Sequence, residues 1–348
     1  MTVIKRTAKM IAAAAVSVAV LCGLLCFYDI LPVHIQNPKG NTDYVWPANS
    51  IWIKATEGIS FGRFDANGYN NIEVVENPDI LVLGSSHMEA TFVMQDENAA
   101  YLLSRKLNGA YSVYNMGISD HNFFKVCQYL PADLELYDAV PKAVVVETST
   151  VDVTQKDAEE AVLSSVEYTP SHNGGWIGTL QRIPFVRALY HQMQRGLLDR
   201  FLSKPASAAL EAAADAQAPA SSTSSEGGAG DDAYETLFAY LEDLEKKYGT
   251  QIIIFYHPRE TLLADGGIAF PADECLDAFD RYARKHGITF VEMTSGFEKM
   301  YYIDHHVAHG FCTGELATGH LNKYGHAAIA DEVYAAIVRL EEAEELCR

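Results

Sequence analysis

The stretch Asp79–Ala90, "DILVLGSSHMEA", decides the fold. Ile80 to Leu83 form an unbroken apolar run, the pattern of a strand covered on both faces. Gly84 then frees the backbone for a sharp bend. A plain strand-to-helix turn asks for a glycine and one capping serine; here Ser85, Ser86 and His87 follow in a row. The bend therefore presents more chemistry than a turn requires, and one of its serines is a candidate nucleophile.

The same punctuation recurs outward from this stretch. "YSVYNMG" (111–117), "KAVVVET" (142–148), "TQIIIFYHP" (250–258) and "GITFVEM" (287–293) are short apolar runs separated by helical patterns such as "YETLFAYLEDLEKKYG" (234–249). Five β-runs alternating with helices predict βαβ units and a mainly parallel five-stranded sheet. Right-handed crossovers then place helices on both faces, giving a three-layer α/β/α domain. Asn322 is the expected cap of a last helix whose apolar stripe is Ile329, Val333, Ile337 and Leu340.

The connection from Thr148 to Gln251 is unusually long and holds an insertion at about 155–232. Its 176–202 segment is amphipathic and helical in pattern, suited to a lid, a membrane-surface contact or a partner face. The tract "PASAALEAAADAQAPASSTSSEGGAGDD" (205–232) has too little apolar surface to offset its chain entropy and is expected to be disordered. At the other end, Lys5, Arg6 and Lys9 precede 19 uncharged residues, Met10–Tyr28, about the length that crosses a hydrocarbon core. An uncleaved signal anchor with a cytoplasmic N-terminus is expected, a cleaved signal peptide being the alternative, although no A-x-A site follows. The expected organisation is thus a tip and anchor at 1–29, an extracytoplasmic stem at 30–78, and the α/β/α domain at 79–345.

A formal charge of −20 argues against nucleic acid as partner, because phosphate binding needs clustered Lys and Arg. Of six cysteines, Cys22 and Cys26 lie in the apolar span, and Cys127, Cys275, Cys312 and Cys347 form no C-x-x-C pair, so no zinc or redox dithiol site is indicated. "DHHVAH" (304–309) sets His305 and His309 four apart but lacks the H-E-x-x-H glutamate. A polar surface loop is expected there, with no metal and no cofactor.

In an open parallel sheet, ligands gather beyond the carboxyl ends of the strands. That rim brings Ser86 near Asn115 to Asp120, His257 and His320, although they are far apart in sequence. Serine attacks only when a base takes its proton, and histidine is the usual base at neutral pH. Backbone N–H groups at a helix start receive an oxyanion. These are the parts of an acyl-transfer site, with His87, Asn115 and His257 as candidates to line its pocket.

"VLGSSHM", "VYNMGIS" and "GHLNKYGHAAIA" resemble the signature blocks of the SGNH/GDSL hydrolases, over roughly residues 79–150 and 250–340. The resemblance implies a flavodoxin-like fold and an esterase, thioesterase, or carbohydrate O-acyl hydrolase or transferase. It places the nucleophile on Ser86, the base on His320 rather than His326, and the oxyanion donors on the N–H groups of Ser86 and Asp120, with Gly117 as alternative. Two blocks depart from the family. The aspartate usual three residues before the histidine is Ala317, so the orienting acid is sought at Glu315 or Asp304, or a Ser–His dyad is held by a backbone carbonyl. The third block's asparagine is absent, since Glu147-Thr148-Ser149-Thr150 stand there. The function implied is a membrane-anchored serine hydrolase or acyltransferase outside the cytoplasm, acting on an acylated small molecule or envelope glycan. The alternative is a catalytically inactive protein of the same fold that binds an envelope protein partner.

Overall fold

The computed structural model describes residues 2–28, 31–55, 57–163, 230–311 and 316–343. The chain divides into two compact units, one comprising Met1–Val33 and Pro170–Glu226, the other His34–Thr169 and Gly227–Arg348. In the first, the described part is a single helix, α1 (Thr2–Tyr28). Among the described residues no helix is long and apolar enough to cross a membrane, so the anchor expected of Met10–Tyr28 rests on sequence alone. The 176–202 segment and 205–229 of the small-residue tract lie outside the described residues; its last two residues, Asp231 and Asp232, open a helix.

The second unit is built on five strands: β1 (Ile80–Leu83), β2 (Val113–Asn115), β3 (Ala143–Thr148), β4 (Gln251–Tyr256) and β5 (Thr289–Glu292). All neighbours are parallel, in the order β2-β1-β3-β4-β5. This is the flavodoxin-like order, whose direction of winding reverses between β1 and β3. Ile80↔Ala143 through Leu83↔Val146 is the register at that reversal.

Alternate residues of each strand face opposite ways, and both faces are covered. Leu81, Leu83, Val144, Val146, Ile252 and Ile254 pack with α4 (Phe123–Leu134), α5 (Gln155–Val162), α6 (Asp231–Tyr248) and α7 (Leu276–Lys285). Ile80, Val82, Val145, Ile253 and Phe255 pack with α3 (Ala99–Leu107), α8 (Thr294–Lys299) and α9 (Lys323–Glu342). A strand buried on both sides has no polar face, which is why these runs are continuously apolar. The short helix α2 (Ser86–Glu89) follows β1, and Asn322 caps α9 by accepting from the N–H groups of Tyr324 and Gly325.

Two small hairpins complete the rim. Ile51–Lys54 pairs antiparallel with Ser60–Arg63, and His309–Gly310 pairs with Leu316–Leu321 around an irregular register. Trp52, Phe64 and Tyr69 are buried, so from His34 onward the expected stem is part of the α/β unit. His320 consequently sits on a strand, two residues before the cap of α9.

Candidate active site

The site forms at the carboxyl end of β1, beside the reversal of strand order. Gly84 is required there by close approach: a Cβ would lie 2.4 Å from Glu147 Oε2 and 2.7 Å from Met88 Cγ. Ser85 caps α2, its hydroxyl accepting from the His87 N–H. Glu147, from the end of β3, holds the turn by accepting from the Ser85 amide at 2.5 Å and the Ser85 hydroxyl at 2.9 Å. Ser86 is thereby placed as the first residue of α2, with its side chain toward the rim.

His320 Nε2 lies 3.0 Å from Ser86 Oγ. On the other side of the imidazole, Nδ1 is 3.0 Å from both carboxylate oxygens of Glu57, and the His320 backbone N–H donates to Glu57 Oε2 at 2.9 Å. Glu57 stands between the two strands of the first hairpin. Gly319, at φ 77°, makes the room, since a Cβ there would sit 2.6 Å from Glu57 Oε2. Phe92 stacks on the His320 ring at 3.7 Å and 16°, and Lys54 Nζ lies over the Phe92 ring, 4.8 Å from its centroid. Burial raises the Glu57 carboxyl, but the hydrogen bonds and charge of His320, with Lys54 behind, outweigh it and hold Glu57 below its ordinary value. Serine, imidazole and carboxylate form one hydrogen-bonded line, the arrangement that lets imidazole accept a proton at Nε2 while donating from Nδ1.

The acid differs from the one sought in the sequence. Glu315 lies outside the described residues, and Asp304 is exposed at the end of a π-turn, Met300–Asp304. Nδ1 is instead taken by Glu57, which an alignment centred on the histidine block cannot find because it enters from a hairpin far upstream. The absence of a carboxylate at Ala317 was a signal to seek the partner of Nδ1 elsewhere. A second signal is the alternating "IWIK" and "SFGR" around "EG", which is a hairpin pattern.

The oxyanion candidates separate clearly. The Gly117 N–H donates to Asn115 Oδ1 at 2.9 Å, so that amide is already engaged. Asp120 adopts φ 65°, and among the described residues neither its N–H nor that of Ser86 has an acceptor. A left-handed non-glycine residue costs on the order of 1 kcal/mol and points to a constraint other than packing. Glu89 keeps the second loop against α2, accepting from Ser119 N–H at 2.9 Å and Trp46 Nε1 at 3.0 Å. Burial holds its carboxyl above the ordinary value.

Of the expected pocket residues, Asn115 is buried and ties Met88 O to Gly117 N–H rather than lining a cleft. His257 is also buried, bonded through Nε2 to Glu147 Oε1 at 2.8 Å. His87 lies between His257, His309 and His320, with ring centroids 4.6, 5.8 and 5.1 Å away. His309, expected in a polar surface loop, is buried, its N–H donating to Glu260 Oε1 at 2.7 Å. The apolar residues Val307 and Ala308 before it pull that segment inward. His305 and Asp304 remain exposed.

A cleft of about 770 Å³ opens beside the Ser86–His320–Glu57 line. Phe92, Gly58, Leu316, Phe311, Tyr301 and Tyr324 are among the residues that line it. Phe92, stacked on His320, and Gly58, next to Glu57, are among its lining residues, and Ser86 is not.

No family model matches the chain, and no curated protein matches it. Solved structures of similar fold include an acetyl xylan esterase, AlAXEase (10% identity, 74% of this chain and 99% of that one, TM-score 0.40), and TesA (15%, 75% and 98%, 0.37). Another is a catalytic mutant of the acetylxylan esterase Axe2 from Geobacillus stearothermophilus (12%, 76% and 95%, 0.38).

Proposed function

We propose that the chain is a serine esterase or acyltransferase in which Ser86, His320 and Glu57 act as the catalytic triad. The observation that carries this is the line Ser86 Oγ–His320 Nε2, 3.0 Å, with Glu57 at 3.0 Å from Nδ1. Ser86 Oγ attacks an acyl carbonyl as His320 Nε2 takes its proton. Glu57 accepts the Nδ1–H bond, fixes the tautomer and offsets the positive charge that forms on the imidazole. The Ser86 and Asp120 N–H groups receive the oxyanion. His320 then returns the proton to the leaving alkoxide, and water or a second hydroxyl resolves the acyl-enzyme.

An inactive binding protein would be expected to leave His320 turned into the core; the short Ser86–His320 contact speaks against that. We further propose that Met10–Tyr28 anchors the enzyme with the α/β domain outside the cytoplasm, where acylated envelope glycans are the substrate class at hand. That step rests on the charge pattern of the first 28 residues. The test is turnover of p-nitrophenyl acetate and longer esters by the full chain, beside Ser86→Ala. Burst release followed by steady turnover, absent in the variant, supports the proposal; equal rates for both overturn it.

A further inference from the structure

His87, His257 and His309 stand outside the Ser86–His320–Glu57 line, yet their ring nitrogens lie within 4.8 Å of one another. They come from the residue after Ser86, the residue after β4, and the first strand of the second rim hairpin. His257 and His309 are each 2% exposed, and each is backed by a buried carboxylate. Glu147 Oε1 is 2.8 Å from His257 Nε2, and Glu260 Oε1 is 3.7 Å from His309 Nδ1. Among the described residues, the ion-pair partners of both carboxylates are imidazoles and not Lys or Arg. Buried charges are ordinarily paired or bound to metal.

Proton placement sharpens this. Glu147 requires a proton on His257 Nε2, which leaves a lone pair on His257 Nδ1. His309 Nε2 lies 3.3 Å from that atom. If His309 donates from Nε2, its Nδ1 turns a second lone pair toward Glu260. Among the described residues, His309 Nδ1 and Glu260 Oε2 are in fact buried polar atoms with no hydrogen-bond partner. If His309 carries its proton on Nδ1 instead, that N–H faces Glu260 Oε1 at 3.7 Å, an ion-pair and not a hydrogen-bond distance, and two lone pairs face each other at 3.3 Å.

A cation between the two rings removes both conflicts. Each lone pair becomes a ligand; the His257 Nε2–H donates to Glu147, and the His309 Nδ1–H faces Glu260 at an ion-pair distance of 3.7 Å, close to the carboxylate–histidine–metal pattern. Tetrahedral Zn–N bonds of about 2.0–2.1 Å set two ligand nitrogens roughly 3.3–3.4 Å apart. That is the separation between His257 Nδ1 and His309 Nε2.

We propose that His257, His309 and His87 bind one divalent cation of the zinc class, oriented by Glu147 and Glu260. Nitrogen donors select zinc and its neighbours over magnesium or calcium. Three protein ligands leave a fourth position for water. His87 is the weakest ligand, because its Nδ1 accepts from the Leu321 N–H at 3.2 Å and that bond competes with ligation. The cation ties the first turn after Ser86, the end of β4 and the rim hairpin into one unit. The proposal makes no use of Ser86 as nucleophile.

The experiment uses the full chain, made without a polyhistidine tag and stripped with chelator. Zn²⁺ uptake is measured by equilibrium dialysis and elemental analysis, and Co²⁺ serves as an optical probe. One Zn²⁺ per chain is expected for the wild type and for Ser86→Ala, so failure here is distinct from failure of the triad. His257→Gln and His309→Gln should lose it, His87→Gln should weaken binding less, and Glu260→Gln should weaken it by about 10–100-fold. Circular dichroism reports whether each variant folds. The Co²⁺ spectrum needs only the wild type: intense tetrahedral bands support the site. No Zn²⁺ bound by folded wild type, or only a weak octahedral Co²⁺ spectrum, overturns it.

Discussion

The sheet and the rim of this molecule are organised by different physics. In the sheet, every strand residue from Ile80 to Leu83 and from Ala143 to Thr148 is buried, and neighbours are fixed by parallel registers. At the rim, Glu57, His309 and His320 sit on or between two short hairpins, held by individual polar contacts. The sheet gains stability from apolar area, about 25 cal/mol per Å² removed from water. The rim gains geometry from charge-assisted hydrogen bonds, each worth a few kcal/mol at most. Substitutions in the sheet should therefore lower stability, and substitutions at the rim should lower turnover.

The largest expected effect is Ser86→Ala, which should cut kcat for ester hydrolysis by 10⁴-fold or more, on the order of what loss of a triad nucleophile costs. Thermal melting should barely change, because Ser86 is half-buried and its hydroxyl bonds only His320 among the described residues. Next is Glu57→Gln, expected to lower kcat by about 10³–10⁴-fold with KM little altered, measured by steady-state kinetics. A loss below tenfold would mean that a backbone carbonyl suffices to orient His320.

Phe255→Ala belongs to the other half of the comparison. Phe255 is fully buried in β4, and its removal should cost about 3–5 kcal/mol in denaturant unfolding while the surviving folded fraction keeps its kcat. If this variant lost turnover without losing stability, the separation of sheet from rim would be broken.

Glu57 also gives a pH prediction. Its folded-state carboxyl lies below the ordinary value of 4.5, so its ionised contacts stabilise the fold above pH 4.5 and that contribution fades as pH falls through the lowered value. The difference in melting temperature between wild type and Glu57→Gln should be constant near neutrality and shrink below pH 4.5. A gap that widens on acidification would contradict the sign. Smallest of all is Asp304→Asn: kcat should stay within about twofold, since Asp304 is exposed while Glu57 occupies His320 Nδ1.

The same comparison explains what could be read from the chain beforehand. Buried parallel strands announce themselves as short, mostly apolar runs, so the five strands were legible in the sequence pattern. The segments that carry Ser86 and His320 stood out because each has a distinctive neighbour, Gly84 before one and Asn322 after the other. The contact of Glu57 with His320 was hidden because a partner of Nδ1 must satisfy a distance and not a spacing along the chain. His309 was misplaced for a related reason: two exposed-looking neighbours, Asp304 and His305, masked the inward turn at Val307 and Ala308. Polar residues that act through tertiary contacts leave little periodic signal.

The most direct test of the triad is the rate of fluorophosphonate labelling of the full chain, read by intact mass and peptide mapping. A single adduct on Ser86 should form in the wild type and in Asp304→Asn. It should be strongly slowed in Glu57→Gln and absent in Ser86→Ala and His320→Ala. Folded wild-type protein that takes no adduct, or labelling of Ser86 at equal rates with and without Glu57, would contradict the assignment of Ser86, His320 and Glu57 as one catalytic line.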